Sequence, residues 1–130
     1  MGKIGDYQEI LVEEGYRPAL DEDGDIRFKH QGTTFYLQAR DDDDTYMRLL
    51  LAYQLSDDIT EEAALAAANA NNIGFKAIKT SLRIAVRFAE FSLEGFYTDA
   101  VQFTPHLGRS ITAMEAAAAE FFKRARETTT

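Results

Sequence analysis

Ile4, Tyr7, Leu11 and Glu14 stand three or four apart, Ile10 and Val12 widen the stripe, and Gly15 offers a left-handed stop. Ile4 to Glu14 therefore reads as an amphipathic helix. The period then changes to two. Tyr16, Pro18 and Leu20 alternate with Arg17 and Ala19, and since proline cannot donate to a ladder, this short strand belongs at a sheet edge. Asp21-Glu22-Asp23-Gly24-Asp25 supplies a turn. Ile26, Phe28 and His30 then alternate with Arg27, Lys29 and Gln31, and after Gln31-Gly32 the strand Thr33 to Arg40 places Phe35, Leu37 and Ala39 on one side. Four adjacent carboxylates, Asp41 to Asp44, repel one another and read as a solvated loop.

Tyr46 to Leu55 fits two periods. Met47, Leu50, Leu51 and Gln54 suit a helix, whereas Met47, Leu49, Leu51, Tyr53 and Leu55 alternate; the preceding strands favour the second reading, and Ser56-Asp57-Asp58 ends it. Thr60 is an N-cap for a second helix over Ala63 to Ala70, with Glu61 and Glu62 complementing its dipole. Asn69 and Asn72 are expected to satisfy free carbonyls where this helix ends, with Gly74 just beyond. From Phe75 the pattern is extended. Ile78 and Thr80 alternate with Ala77 and Lys79, Thr80-Ser81 is the expected turn, and Leu82, Ile84, Val86 and Phe88 form a longer strand.

Thr98 is a further N-cap candidate. Beyond it Ala100, Phe103, Leu107, Ile111, Met114, Ala118, Phe121 and Ala125 make one apolar stripe that keeps its phase across Pro105, which predicts a kinked helix or two abutting ones. The predicted order is α-β-β-β-β-α-β-β-α, an α+β chain. Residues 1–127 are read as a single domain and 128–130 as a frayed tail.

Composition narrows the chemistry. The 130 residues are 45% hydrophobic and 28% charged, a balance suited to one core and too apolar for a disordered acidic tail. No cysteine is present, which removes thiolate catalysis, disulfides and cysteine-ligated metals. Fourteen basic residues against twenty-two acidic ones give a net charge of −8, which opposes nucleic-acid and anionic-membrane binding. The charge is uneven: residues 1–62 carry 16 acids and 6 bases, and residues 63–130 carry 6 acids and 8 bases. Internal pairing across the sheet is the plain consequence, and a surface that steers a partner is the sharper one. The opening residues have Asp6 and Gln8 where a secretory leader would be apolar, and Asp6 also spoils a myristoylation signal at Gly2. A cytoplasmic protein is expected.

Candidate sites are few. In the Asp21 to Asp25 cluster the glycine is fourth and the twelfth residue is Gly32, so the cluster fails the EF-hand spacing and reads as a hairpin turn. His30 and His106 lack a second ligand at metal spacing and are expected as core or interface histidines. Ser56, Ser81, Ser92 and Ser110 lie in no nucleophile motif, and no Walker loop or dinucleotide fingerprint occurs. Lys76, Lys79, Arg83 and Arg87, with Phe75 and Phe88, form the one basic patch that could suit nucleic acid, but Arg83 and Arg87, expected on one hairpin face with Ala85, read more plainly as a solvated or ion-paired sheet face. No catalytic, cofactor or metal residue is assigned.

Leu11, Glu14-Gly15-Tyr16, Pro18, the Gly24 turn, Phe28 with Gly32, Asn69, Asn72 and Phe121-Phe122 together resemble the YbjN-type family of bacterial sensory-transduction regulators, which share the type III secretion chaperone-like fold. The likeness covers nearly the whole chain. Thr80-Ser81 and Pro105 depart from it. It implies a twisted antiparallel sheet flanked by helices, no enzymatic activity, no cofactor, a protein partner or client, and a homodimer. The aromatic surplus, 9 Phe and 6 Tyr, agrees with a protein-binding surface. A second expectation is a small-ligand binder or cryptic enzyme using carboxylates and tyrosines in a cleft between sheet and last helix.

Overall fold

The computed structural model describes residues 3–40 and 43–129; Met1, Gly2, Asp41, Asp42 and Thr130 lie outside the described residues. The elements are α1 (Lys3–Glu13), β1 (Ala19–Leu20), β2 (Ile26–His30), β3 (Thr33–Arg40), β4 (Asp43–Gln54), α2 (Glu61–Gly74), β5 (Lys79–Arg83), β6 (Phe88–Phe96) and α3 (Leu107–Thr129). Short 3-10 segments occupy Ile84–Val86 and Ala100–His106. The six strands form an antiparallel sheet in the order β1-β2-β3-β4-β6-β5, which is the α+β class and the element order that the periodicity predicts. Two compact units divide the chain: Met1–Leu51 with Glu94–Gly108, and Ala52–Leu93 with Arg109–Thr130. Among the described residues no helix is long and apolar enough to cross a membrane.

In the first unit, α1 buries Tyr7, Ile10 and Leu11, and it packs against β3 and the 3-10 segment at 100–106. Val12, expected in the buried stripe, is 60% exposed, because residues 10, 11 and 7 already fill the narrow face that α1 turns inward. Gly15 ends the helix as expected: its φ of +96° suits a residue without Cβ, and the Tyr16 amide donates to Leu11 O at 2.9 Å. β1 is an edge strand of only two residues, paired through Ala19 with Arg27. Gln31 and Gly32 both have positive φ, the requirement of a two-residue hairpin turn whose twist matches its strands.

β4 settles the ambiguous segment as a strand. Met47, Leu49 and Leu51 are buried on one phase, and Leu50 is covered as well. Asp43 and Asp44 do not belong to a loop; they open β4, and Asp43 pairs with Arg40 beside a register shift at Ala39/Arg40. Asp41 and Asp42, the rest of that expected loop, lie outside the described residues. At the other end of this unit the cap of the 3-10 segment is Asp99 and not Thr98. Asp99 Oδ1 accepts from the Gln102 amide at 3.2 Å, while the Thr98 amide donates to Gln102 Oε1 at 2.8 Å, a reciprocal arrangement in which a carboxylate is the better acceptor.

Tyr7 has no exposed surface, lies edge-on to Phe103 at 6.2 Å, and its hydroxyl has no hydrogen-bond partner among the described residues. Burial, reinforced by Tyr97 and Asp99, pushes its pKa up to about 12. Tyr7→Phe should therefore raise the unfolding free energy by about 1 kcal/mol at pH 7, since it removes an unsatisfied buried hydroxyl. Above pH 10 the gap should widen. The unfolded chain gives up this proton near its ordinary value while the folded chain keeps it, so the tyrosine protein loses about 1.4 kcal/mol per pH unit until the folded value is reached. Urea midpoints of both proteins at pH 8 and pH 11 check this; an equal difference at the two pH values would contradict it.

In the second unit, Thr60 caps α2 as expected, its Oγ1 accepting from the Ala63 amide at 3.1 Å. The helix then runs past its expected end to Gly74, so Asn71 and Asn72 lie inside it. Asn72, read as a local cap, instead reaches β5: its Nδ2 donates to Thr80 O at 3.1 Å and its Oδ1 accepts from the Thr80 amide at 2.8 Å. This side-chain amide occupies the outward backbone groups of Thr80 on an edge strand, which blunts that edge. Asn69 is exposed on the outer face of α2.

The expected turn at Thr80-Ser81 is also displaced. Those residues sit in the middle of β5, paired with Phe91 and Glu90, and the chain reverses through Ile84–Val86 and Arg87, whose φ is +56°. Ile84 and Val86 are therefore turn residues on the surface and not strand core. Nor does a strand begin at Phe75, because Ala77 has a φ of +65° that no strand accommodates. The apolar stripe of the last helix holds in full. Ala100, Phe103 and Leu107 are buried in the first unit, and Ile111, Met114, Ala118, Phe121 and Ala125 in the second, with Pro105 in the 3-10 segment abutting α3.

Candidate partner-binding groove

The second unit contains a groove of about 390 Å³ between the end of β4 and the exposed side of α3. Strand alternation brings Tyr53 to it, and α3 presents Glu115, Ala118, Ala119, Phe122 and Arg126 at helical spacing. The small Ala118 and Ala119 open the space that the aromatic rings wall. Tyr53 meets Phe122 edge-on at 5.8 Å and Phe91 at 6.4 Å, and the Arg126 guanidinium lies 5.3 Å from the centre of the Phe122 ring. Phe121 beneath is fully buried against Phe91, so Phe122 rests on a rigid support while remaining half-buried itself.

The polar rim is small. Arg126 approaches Asp58 at 3.9 Å, and the Asp58 carboxyl is held below its ordinary value by the Ser56 hydroxyl first and by Arg126 last. Gln54 is exposed at the mouth. An apolar floor, half-exposed aromatic walls and a charged rim suit the side chains of a peptide better than a small polar substrate.

Other sequence candidates fall elsewhere. Arg83 donates to Glu90 at 2.8 Å, and Arg87 donates to the carbonyls of Ser56 and Ile59, each at 2.9 Å. Arg83 is thus ion-paired, in line with the plainer reading of this face, whereas Arg87 leaves the expected hairpin face to hold the loop after β4, since it lies in the turn and not in the strand. Asp21, Asp23 and Asp25 bring carboxylate oxygens within 4.8 Å of one another, but Asp21 Oδ1 accepts from the amides of Asp23 and Asp25 at 2.9 Å each, the hydrogen bonding of a turn. His30 lies 6.1 Å from the Tyr16 ring and is half-buried; His106 lies 6.3 Å from the Tyr97 ring and is exposed, outside the core. Tyr53 and Glu115 both line the groove between β4 and α3. The sequence leads to the expectation of a cleft between sheet and last helix but assigns no residue to it, since which rings stay half-exposed is set by what packs across from them.

No family model matches the chain, and no curated protein matches it. Two solved structures share its fold. One is an uncharacterized protein from Methanothermobacter thermautotrophicus, with a TM-score of 0.64 and 14% identity over 95% of this chain and 99% of that one. The other is a chain of the HopA1-SchA chaperone-effector complex, with a TM-score of 0.60 and 14% identity over 96% of this chain and 91% of that one. The α+β fold that the resemblance implies is therefore shared with a chain of a chaperone-effector complex.

Proposed function

We propose that this chain is a non-enzymatic, chaperone-like protein-binding module that holds a segment of a client protein in the groove between Tyr53 and Phe122. The observation that carries the reading is that pair of half-buried rings set over alanines on a rigid base. Support comes also from the fold shared with a chain of a chaperone-effector complex. The proposal extends to a cytoplasmic homodimer acting as a regulator of the YbjN type. Aromatic side chains give large contact area at small entropic cost, which is why they anchor interfaces.

Ala119→Glu fills the groove and sets a carboxylate beside the rings, on an exposed helical position where folding tolerates it. Pull-down from the native host should recover a protein with the wild-type chain and lose it with Ala119→Glu, while circular dichroism and thermal midpoint stay unchanged. Equal recovery with both chains, or none with either, would overturn the reading. Light scattering that gives a strict monomer at high concentration would remove the homodimer. A small-ligand site built on Tyr53 and Glu115 is the second reading; saturable binding of a metabolite in place of a protein would favour it.

A further inference from the structure

We infer that the first unit carries a second recognition site, a cationic groove formed by Arg17, Arg27 and Lys29 that takes an extended, carboxylate-bearing segment of a protein partner. The groove measures about 420 Å³ and lies between the Gly15 to Ala19 segment and β2. Phe28 and Tyr16 also line it; the Phe28 side chain is buried on the opposite phase of β2 from Arg27 and Lys29, where the Tyr16 ring meets it edge-on at 5.1 Å. Arg17, Arg27 and Lys29 are all exposed, and none of their side chains makes a hydrogen bond or ion pair with another described residue.

That isolation is unexpected on charge grounds. The stretches forming this unit hold 14 acids and 6 bases, whereas those forming the second hold 8 of each, so the whole net charge of −8 belongs to the first. In so acidic a setting a base ordinarily finds a carboxylate, yet half of the unit's bases line one groove in which, among the described residues, they have no carboxylate partner and no acid takes part in the lining. Three exposed bases lining one groove are complementary to a bound anion.

The geometry selects the kind of anion. Arg27 and Lys29 are two residues apart on the exposed phase of β2, which separates them by roughly 6.5–7 Å along the strand. Carboxylates at alternate positions of an extended peptide have the same repeat, and a guanidinium grips a carboxylate through two parallel hydrogen bonds. A nucleic acid would extend its phosphates beyond the groove into the surrounding acidic field, where a short peptide need not go. At physiological salt the remote carboxylates are largely screened, so the bases at contact distance dominate.

Fluorescence anisotropy with a fluorescein-labelled twelve-residue peptide of alternating glutamate and threonine tests this at 50 mM salt. The full chain should bind it, and either 500 mM salt or the double substitution Arg27→Glu with Lys29→Glu should weaken binding at least about tenfold. The same peptide with glutamine for glutamate should not bind, and Ala119→Glu, in the other groove, should change nothing. Circular dichroism of the double variant controls for folding. Absence of binding at 50 mM salt, binding indifferent to the double substitution, or tighter binding of a single-stranded DNA twelve-mer through the same residues would overturn the inference.

Discussion

Phe121→Ala is expected to lower the unfolding free energy by about 3–5 kcal/mol, the range for emptying a buried aromatic site. Phe121 has no exposed surface and meets Phe91 at 5.6 Å and Phe122 at 5.0 Å, both edge-on. Removing the ring forfeits its transfer from water, its edge-to-face contacts and the packing of its neighbours, and α3 cannot shift inward to fill the hole without moving Ala117, Ala118 and Ala125, which are buried with it. The measurement is the urea midpoint with an unchanged m-value. A loss below about 1 kcal/mol would mean that the site collapses freely or is not packed as described. The same substitution should weaken client capture, because Phe122 loses the ring that supports it.

The second large effect is expected at Asn71. This residue is only 1% exposed; its Nδ2 donates to Ala117 O at 2.7 Å and to Thr80 Oγ1 at 3.3 Å, fastening α2 to both α3 and β5. Asn71→Asp keeps the shape and replaces the donor by an acceptor facing a carbonyl. At pH 7 the change should cost about 2–4 kcal/mol, through a buried charge and a lost hydrogen bond to Ala117 O. The sign with pH is diagnostic. Burial raises the folded pKa of the new carboxyl above its unfolded value of about 3.9, so the protonated form, which donates to the carbonyl, predominates in acid. Stability of the variant relative to the parent should therefore be best below the unfolded pKa and fall as pH rises through the folded value. Urea midpoints at pH 4.5 and 7.5 measure this. Asn71→Leu, which cannot ionise, should be destabilised by a similar amount at both pH values; matching pH dependence in the two variants would contradict the assigned role.

Local rules made much of this architecture legible. Each strand from β2 to β4 was visible in the alternation of buried and exposed residues, because one face of the sheet must be covered and a slip of one residue would expose the whole set. The turns at Gly15, Gly24 and Gln31-Gly32 were visible because the residues there tolerate positive φ. Around residues 71–88 the same rules failed. Asn71 and Asn72 have the composition of a helix end, but their amides are engaged by Ala117 and Thr80, partners 46 and 8 residues away, and those bonds carry the helix onward. The β5–β6 turn held no glycine to announce it; Arg87 takes up the left-handed conformation while its guanidinium is fixed by Ser56 and Ile59.

The candidate grooves divide in the same way. Neither was assigned by motif, since each is made from ordinary residues whose partners, or lack of them, depend on what lies across from them. Arg83 and Arg87 in the sequence look as free as Arg27 and Lys29, and the fold pairs the first two while leaving the other two open. The amino-acid sequence by itself determined the α+β class, the order of helices and strands, and the apolar stripe that runs unbroken through Pro105, because these rest on periods of two and 3.6 residues and on the backbone freedom of single positions. Only the tertiary structure decided where helix α2 stops, which bases are neutralised and which aromatic rings are left half-uncovered, because each of those is set by groups distant in the chain that compete for the same hydrogen bond, charge or surface.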